Sequence, residues 1–252
     1  MTPVNHLASL SILRGIFLFG GITRYYNFVV VPGIMGEMTF HIITLFPEAI
    51  EQYLHSSILG RAEKKKIIKF DLINLRPFGL GKHKKVDDRP FGGGPGMVLH
   101  VEPIYKAIQK IRTKIRGRKS KTRVILFSTR GKVFNQKEAK KLSRYEHLIF
   151  ICGRYEGVDE RVAKYIADEE ISIGDFVLSG GELPALIVTE AVSRHLPGVL
   201  GKTESLEEKN GSFPTYTRPP KFKNWKVPEV LISGHHEKIK NWRKGVKTSH
   251  RS

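Results

Sequence analysis

The chain has a single cysteine, Cys152, and only 24 acidic residues in 252. One cysteine excludes an internal disulfide and a zinc site built from a cysteine cluster, and it fits a reducing cytoplasm, where we expect the protein to reside. Apolar residues make up 40% of the chain and charged residues 27%. This composition is typical of a globular protein and excludes a disordered or collagen-like chain.

Long apolar runs are also missing. Two apolar runs near the N-terminus are interrupted, one by Arg14 and the other by Pro32, and neither reaches the roughly 18 residues of a membrane span. No Lys or Arg precedes Leu7, which argues against a signal peptide. We therefore expect no membrane partner, and we expect residues 1–37 to be an atypical extension upstream of a start at Met38.

Positive charge is abundant: 43 Lys and Arg against 24 Asp and Glu give a net charge of +19. The stretch 105–123 has nine basic residues and no acid. Such an excess indicates a polyanionic partner, most simply nucleic acid held through its phosphates. A basic structural protein or a protein that binds anionic membranes would fit as well.

Apolar strands alternate with amphipathic helices over residues 39–200, which predicts an α/β domain with a mostly parallel sheet. The predicted strands are 39–45, 67–75, 123–127, 147–151 and 170–173, and the predicted helices are 48–59, 102–115, 136–143, 158–166 and 182–195. Residues 201–220 have the composition of a linker. A reduced basic C-terminal domain is expected over 221–252, with Trp225 and Trp242 in its small core rather than stacked on bases.

Three glycine-rich loops, 86–97, 151–161 and 172–184, each follow a predicted strand. None has the ending of a phosphate-binding P-loop or the dinucleotide pattern, so nucleoside triphosphate binding is unsupported. Ligands of open α/β sheets lie at the carboxyl ends of strands. The apolar run 176–178 between glycines suits a flat apolar ligand held by backbone groups. Each loop alone would equally fit a flexible turn; the three together indicate a ligand site.

These loops and other segments of the chain carry recognisable motifs: ITLFPE (43–48), VDDRPFGGGPGM (86–97), CGRYEGVDERV (152–162), SIGDFVLSGGELPA (172–185), AVSRHLPGVLG (191–201), YTRP (216–219) and the weaker LISGHHEKIKNWR (231–243). With them, residues 38–244 resemble the bacterial tRNA (guanine-N1)-methyltransferase (TrmD) family. The resemblance implies the α/β SPOUT fold with a trefoil knot. It also implies an obligate homodimer whose sites are shared between protomers, and a reduced basic C-terminal domain, residues 221–252, that binds tRNA.

The resemblance further implies transfer of a methyl group from S-adenosylmethionine to N1 of the guanosine at position 37 of tRNA, 3′ of the anticodon. Substrate contacts then fall on Asp87, Arg89, Gly96 and Met97. Contacts to the methyl donor fall on Phe127, Ser128, Gly153, Tyr155, Glu156, Ser172, Ile173, Gly174, Asp175, Phe176, Val177, Leu178, Gly180, Gly181 and Pro184.

This reaction needs a base for the N1 proton and a fixed hydrogen-bond donor for the charge that grows on O6. The resemblance places the donor at Arg194, which by itself would fit a cation at a helix end. The base falls on Glu208, with Glu207 and Lys209 as alternatives, or on none of them if the two glutamates are merely solvated. A lysine would be protonated unless its pKa were strongly lowered. Mg²⁺ is expected to assist, although no residue cluster predicts a metal site.

Two alternatives stay open at the level of sequence. A different SPOUT enzyme, acting on another nucleotide of tRNA or on ribosomal RNA, would share the donor loops and the basic charge. A basic RNA-binding protein that has lost its base would also fit, because Lys209 stands near the expected acid. The joint presence of loop 86–97, Arg194 and an acid before Ser212 favours the tRNA guanine-N1 activity.

Overall fold

The computed structural model describes residues 11–19, 22–30, 37–115, 121–200 and 213–248. The chain divides between Val199 and Leu200 into two compact units, and each unit is described by itself. Most of the expected linker, residues 201–212, lies outside the described residues, so the predicted domain boundaries stay predictions.

A five-stranded sheet forms the centre of the first unit. Its strands are β3 (Met38–Thr44), β4 (Ile68–Asn74), β7 (Thr122–Val133), β8 (His147–Ile151) and β9 (Glu169–Ser172). They lie in the order β4-β3-β8-β7-β9, and every neighbouring pair is parallel. The predicted α/β class with a mostly parallel sheet is therefore confirmed. The trefoil knot stays a prediction.

Helices cover both faces of this sheet. They are α1 (Glu48–Leu54), α2 (Ser57–Lys64), α3 (Val101–Lys114), α4 (Gln136–Leu142), α5 (Glu160–Tyr165) and α6 (Glu182–Ser193). A short 3₁₀ turn (Arg76–Phe78) and a two-residue ladder of β5 (Asp87–Asp88) with β6 (Val98–Leu99) bound the first glycine-rich loop.

Two apolar cores lie on opposite faces of the sheet because side chains alternate along each strand. In β8, Leu148 and Phe150 point into the core shared with α1, α2, α4 and α6, and Ile149 and Ile151 point into the core shared with α3 and α5. Burial on both faces explains why the central strands are continuous apolar runs rather than alternating ones.

The predicted single helix 48–59 is wrong, because the helix breaks between α1 and α2. Ser56 has an extended backbone, and its hydroxyl donates to the carbonyl of Tyr53, which satisfies an acceptor at the end of α1. Gly60 lets the carbonyl oxygen of His55 come within 2.1 Å of where a Cβ would stand. A larger residue at position 60 would prevent this tight turn.

Strand β7 is longer than predicted. It pairs with β9 through Phe127, makes an excursion over residues 128–131, and resumes pairing at Lys132, so that Ile171 of β9 is matched twice. Gly131 permits the return, because a Cβ there would stand 2.6 Å from the backbone nitrogen of Ile171. The sequence pattern predicted only the first half of the strand, residues 123–127.

Outside the sheet, two antiparallel strands occur near the N-terminus, β1 (Ser11–Phe19) and β2 (Ile22–Val30). The second unit contains an antiparallel hairpin of β10 (Lys221–Phe222) and β11 (Trp225–Lys226), followed by α7 (Glu229–Ile232) and α8 (His236–Thr248). The last helix matches the one predicted near residues 236–244. Trp225 is 70% exposed, whereas Trp242 contacts Tyr216 at 6.5 Å between ring centroids, so the expectation that both tryptophans form the core of this unit is wrong for Trp225.

A buried hydrogen-bonded chain joins β3, β4 and β8 on the face covered by α3. His41, which is buried, contacts the carboxylate of Asp71 through Nδ1 at 2.9 Å and Nδ1 of His147 through Nε2 at 3.3 Å. Lys114 approaches the same carboxylate at 3.4 Å. The hydrogen bond with His41, helped by Lys114, lowers the pKa of Asp71 to about 2.

Asp71→Asn is expected to lower the free energy of unfolding by about 2 kcal/mol at pH 7, since the lowered pKa stabilises the folded state while the carboxylate is ionised. This contribution is complete above the ordinary pKa of 3.8 and is lost as the pH falls to about 2. Urea unfolding of both proteins at pH 7, 5, 3 and 2.5 measures it. The exposed Asp175→Asn serves as control. A difference between wild type and Asp71→Asn that stays constant with pH would contradict the assignment.

Candidate active site

The carboxyl ends of β8 and β9 and the excursion in the middle of β7 meet at a cavity of about 540 Å³. Its walls come from residues 126–130 of β7, residues 153–158 after β8, residues 171–173 and 176–181 at and after the end of β9, and Glu160 and Pro184 at the starts of α5 and α6. This volume lies within the usual range of about 300–1,000 Å³ for sites that bind small ligands. The position is the one expected for ligands of parallel α/β sheets.

Backbone contacts hold the second and third glycine-rich loops together. The N–H of Gly181 donates to the carbonyl of Gly153 at 3.0 Å, and Arg154 and Gly180 form an antiparallel bridge. A Cβ on Gly181 would stand 2.6 Å from Cα of Cys152, closer than atoms can approach. Glycine is therefore required at position 181 for the two loops to meet.

The first loop joins the second through a short parallel ladder. Glu156 donates its N–H to Met97 at 3.0 Å, Leu99 donates to Gly157 at 3.1 Å, and Asp159 donates to Leu99 at 3.0 Å. Gly96 lies against the side chain of Glu156, because a Cβ added at position 96 would stand 2.5 Å from Cγ of Glu156. The three loops that the sequence singled out therefore converge on one region.

The excursion in β7 forms a fourth wall that the sequence reasoning missed beyond Ser128. Thr129 and Arg130 line the cavity, and Arg130 forms an ion pair at 2.6 Å with Glu160 at the start of α5. The sequence signal that was available is Gly131, a glycine four residues after the predicted strand 123–127.

A buried polar cluster links the second glycine-rich loop to β3 and to the start of α6. Glu182, at the start of α6, accepts a hydrogen bond from Thr44 Oγ1 at 2.6 Å and pairs with Arg154 Nε at 3.0 Å. The guanidinium of Arg154 lies over the ring of Phe46, 4.6 Å from its centroid. Sequence reasoning missed this cluster, because its residues are scattered over three elements.

Cys152 lies under the same loops and is fully buried. Burial, and then the nearby carboxylate of Glu182, raise its pKa well above the usual value. A thiol held neutral in this way is a poor nucleophile. Cys152 is therefore a packing residue of the core rather than a reactive thiol.

The apolar segment of the third loop is open to solvent. Phe176 is 53% exposed and Val177 is 84% exposed, and both line the cavity. Gly174 makes room for the ring, since a Cβ there would stand 2.4 Å from Phe176 Cε1. Exposed apolar side chains at the mouth of a cavity favour a ligand with a flat apolar part.

Nearly all the residues expected to contact the methyl donor line this cavity. These are Phe127, Ser128, Gly153, Tyr155, Glu156, Ser172, Ile173, Phe176, Val177, Leu178, Gly180, Gly181 and Pro184. Gly174 and Asp175 are not part of the lining. Gly174 instead accepts a hydrogen bond at 2.9 Å from Ser172 Oγ, which shapes the loop.

The residues expected to contact tRNA do not line the cavity. Asp87, Arg89, Gly96 and Met97 lie in or beside the first loop but do not line the cavity. Asp88 accepts from the N–H of Arg89 at 2.8 Å and pairs with Lys85 at 2.9 Å. These contacts lower the pKa of Asp88. Asp88 is therefore held within its own loop.

Arg194 directly follows α6 and does not line the cavity either. Pro184, at the opposite end of the same helix, does. Ten residues of helix separate these two positions, about 15 Å at 1.5 Å per residue. Within one chain, the expected catalytic arginine is thus remote from the expected donor site.

The base candidates Glu207, Glu208 and Lys209 lie outside the described residues. Within the part of the chain that the structure describes, no group of three or more His, Cys, Asp and Glu could hold a metal ion. Among the same residues, no helix is long and apolar enough to cross a membrane.

The parallel sheet and the cavity at its carboxyl edge define an α/β protein that binds a small ligand between glycine-rich loops. The sequence model described as tRNA (Guanine-1)-methyltransferase TrmD matches residues 38–251. The chain therefore belongs to this family of methyltransferases, as its motifs indicated.

Similar proteins agree with this assignment. The tRNA (guanine-N(1)-)-methyltransferase of Ruminiclostridium cellulolyticum is 49% identical over 214 residues, which cover 82% of this chain and 89% of that protein. The enzyme of the same name from Carboxydothermus hydrogenoformans is 51% identical over 212 residues, covering 82% and 81%. The crystal structure of tRNA (m1G37) methyltransferase from Aquifex aeolicus superimposes with a TM-score of 0.72 at 43% identity, covering 84% of this chain and 91% of that one.

Gly181→Ala is expected to destabilise the first unit by about 1–3 kcal/mol, because the added methyl would overlap backbone atoms. Thermal unfolding should show a melting temperature lower by about 2–12 °C. Gly153→Ala is the matched control, since a Cβ there has only an ordinary contact of 3.6 Å with Val158. Equal melting temperatures for the two variants would mean that the loops do not meet as described.

Proposed function

We propose that this protein transfers the methyl group of S-adenosylmethionine to N1 of the guanosine at position 37 of tRNA. The observation that supports this most strongly is the cavity that the second and third glycine-rich loops line in a chain that the family model matches. Relatives of about half-identical sequence carry the tRNA guanine-N1 activity in their names, which favours this function over other RNA methyltransferases and over a non-catalytic RNA-binding protein.

The cavity has the features that the methyl donor needs. S-adenosylmethionine supplies an electrophilic methyl group on a positively charged sulfonium. Backbone groups of Gly153, Gly180 and Gly181 would hold its nucleoside part, and Phe176 would cover it. The carboxylate of Glu156, which lines the cavity, would favour the positive charge, whereas that of Glu160 is paired with Arg130.

Two further groups complete the proposed reaction at the guanine. Arg194 would donate a hydrogen bond to O6, where negative charge grows as N1 attacks the methyl carbon. Glu208 would accept the N1 proton, for which a carboxylate is better suited at neutral pH than protonated Lys209. Asp87, Arg89, Gly96 and Met97 would contact the anticodon loop beside Glu156.

A homodimer follows from the separation between Arg194 and the cavity. Leu183, Ile187 and Glu190 share one face of α6 with Arg194, which follows them by eleven, seven and four residues. Leu183 and Ile187 are 56% and 47% exposed, so the apolar part of this face is open in the single chain. A second copy that covers it would bring its own Arg194 toward the partner's donor cavity, as the shared sites of the family imply.

We place the enzyme in the cytoplasm, where its tRNA substrate is made and where its lone cysteine would stay reduced. Mg²⁺ is proposed to assist the reaction without an assigned ligand on this chain.

Incubation with donor labelled at the methyl group and two tRNA transcripts tests the function. One transcript has guanines at positions 36 and 37, and the other lacks them. Label is expected only in the first, at N1 of guanosine 37. Label in neither transcript would reject the activity, and donor binding without transfer would favour a non-catalytic protein. Running the assay with and without Mg²⁺ tests that dependence.

The same assay examines the base. Glu208→Gln is expected to lower the turnover number by about 100-fold or more while donor binding persists, because general base catalysis contributes about 10²–10⁴. Glu207→Gln and Lys209→Gln are matched controls. If Glu208→Gln keeps the wild-type turnover number, Glu208 is not the base. The base is then the residue, Glu207 or Lys209, whose variant loses turnover.

Mixing two inactive variants tests the shared site. Leu178→Arg places a cation in the donor cavity, which repels the sulfonium, and Arg194→Ala removes the O6 donor. If each site combines the cavity of one chain with Arg194 of the other, half the reassorted dimers have one intact site, so about a quarter of wild-type activity returns. Each variant alone is the control. No recovery after verified exchange of subunits would contradict the arrangement.

A further inference from the structure

Two oppositely charged side chains of the donor cavity pair with each other. Nη2 of Arg130 lies 2.6 Å from Oε2 of Glu160, and both residues belong to the cavity wall (the cavity ion pair). Arg130 comes from the excursion in β7 and Glu160 from the start of α5. Among the described residues, this is the one ion pair whose two partners both line the cavity, and the proposed methyl transfer does not use it.

The backbone of β7 places Arg130 in this wall. Pairing between β7 and β9 stops after Phe127 and resumes at Lys132. Within the excursion, the N–H of Arg130 donates to Oγ of Ser128 at 3.2 Å, and Gly131 permits the return to the sheet. Interruptions of this kind leave ladder groups unpaired and are frequent next to active sites, where they re-aim a side chain. The excursion brings the side chain of Arg130 to the cavity.

The two cations of the cavity wall differ in how firmly they are held. The charged lining residues are Arg130, Arg154, Glu156 and Glu160. Arg154 pairs with the buried Glu182 at 3.0 Å and lies over an aromatic ring, so releasing it would leave a buried carboxylate without a cation, which is strongly destabilising. Arg130 is therefore the lining cation that can receive a carboxylate from a ligand, and its partner Glu160 then becomes available to an ammonium group.

The cavity ion pair can open with little loss of stability. Its side chains are 66% and 64% exposed, and an ion pair in contact with water contributes little to folding. A second carboxylate, that of Glu170, lies 3.9 Å from the same nitrogen of Arg130 and would keep the guanidinium at the cavity wall. The neighbouring pair of Arg161 with Asp159 differs, because Asp159 also accepts the backbone N–H of Arg161 at the start of α5 and neither residue lines the cavity.

An ion pair that opens in this way matches an α-amino acid. The α-carboxylate of a zwitterion fits the parallel N–H donors of a guanidinium, and its ammonium fits a carboxylate, so one ligand replaces both halves of the pair. A ligand with only one of these charges would leave the other half of the pair without a partner. S-adenosylmethionine ends in an α-amino acid, whose carboxylate and ammonium are bonded to the same carbon.

We infer that Arg130 and Glu160 recognise the amino-acid end of the methyl donor, with Arg130 binding its carboxylate and Glu160 its ammonium. The inference rests on the proposed function for the identity of the donor. It gives both residues a role in selecting and orienting the donor, and none in the transfer itself. The amino-acid end would lie at the excursion of β7, while the nucleoside part lies between the second and third glycine-rich loops.

Calorimetry on the full chain with two unreactive ligands tests the role of Arg130. S-adenosylhomocysteine is the donor without its methyl group, and 5′-methylthioadenosine keeps the adenosine and the sulfur but lacks the amino acid. Arg130→Gln is expected to weaken binding of S-adenosylhomocysteine by about 10- to 100-fold, through the loss of charge-assisted hydrogen bonds, and to change binding of 5′-methylthioadenosine by less than about 2-fold.

Arg161→Gln is the matched control, since it removes an arginine from the next ion pair along the chain without touching the cavity wall. Its affinities for both ligands should equal those of the wild type. If Arg130→Gln weakens both ligands equally, Arg130 merely shapes the cavity and the inference is wrong. Unchanged binding of S-adenosylhomocysteine in Arg130→Gln would overturn it as well.

Two further analogues separate the two charges. The wild type is expected to prefer S-adenosylhomocysteine over its analogue without the carboxylate and over its analogue without the amino group. Arg130→Gln should abolish the first preference and Glu160→Gln the second, because each variant removes the group that the missing charge would contact. A preference that survives in its matching variant would contradict the role of that residue.

These measurements distinguish failure of this inference from failure of the proposed function. If the wild type methylates the tRNA transcript while Arg130→Gln binds S-adenosylhomocysteine with unaltered affinity, the inference fails and the function stands. If the wild type selects S-adenosylhomocysteine through Arg130 but methylates neither transcript, the inference holds and the function fails.

Discussion

The close backbone contact between the loops after β8 and β9 is the constraint on which the donor site depends. Gly181 donates to Gly153 at 3.0 Å only because Gly181 has no side chain, since a Cβ there would stand 2.6 Å from Cα of Cys152. This contact fixes the third loop against the second and sets the width of the cavity. A site formed from backbone groups in this way is insensitive to side-chain motion, which suits a ligand that must bind in one orientation.

The buried cluster behind the loops ties this contact to the sheet. Glu182 bonds to Thr44 at the end of β3 and pairs with Arg154 of the second loop. A carboxylate this buried is costly unless it is paired and hydrogen-bonded. Glu182 stands at the start of α6, and its partners come from the sheet (Thr44) and from a loop (Arg154), so the same hydrogen bond and ion pair that offset its charge also link those three elements.

The cavity and Arg194 lie at opposite ends of α6 in the first unit. In the proposed reaction, each complete site therefore needs a second copy of the chain to bring Arg194 to the cavity. Contacts remote from the reacting atoms supply binding energy that can orient a target base. The proposed tRNA substrate, which is a polyanion, would account for the net charge of +19.

Sequence by itself determined the fold class, the positions of the central strands, the three glycine-rich loops and the family, because these depend on local apolar periodicity and on glycines at strand ends. It did not reveal the excursion of β7, the break between α1 and α2, or the cluster of Glu182 with Arg154. Each of these arises from contacts between residues far apart in the chain, such as Gly131 against Ile171. Only the tertiary structure decided that Trp225 is exposed while Trp242 packs, because two tryptophans of one basic segment have the same local pattern and differ only in what folds against them.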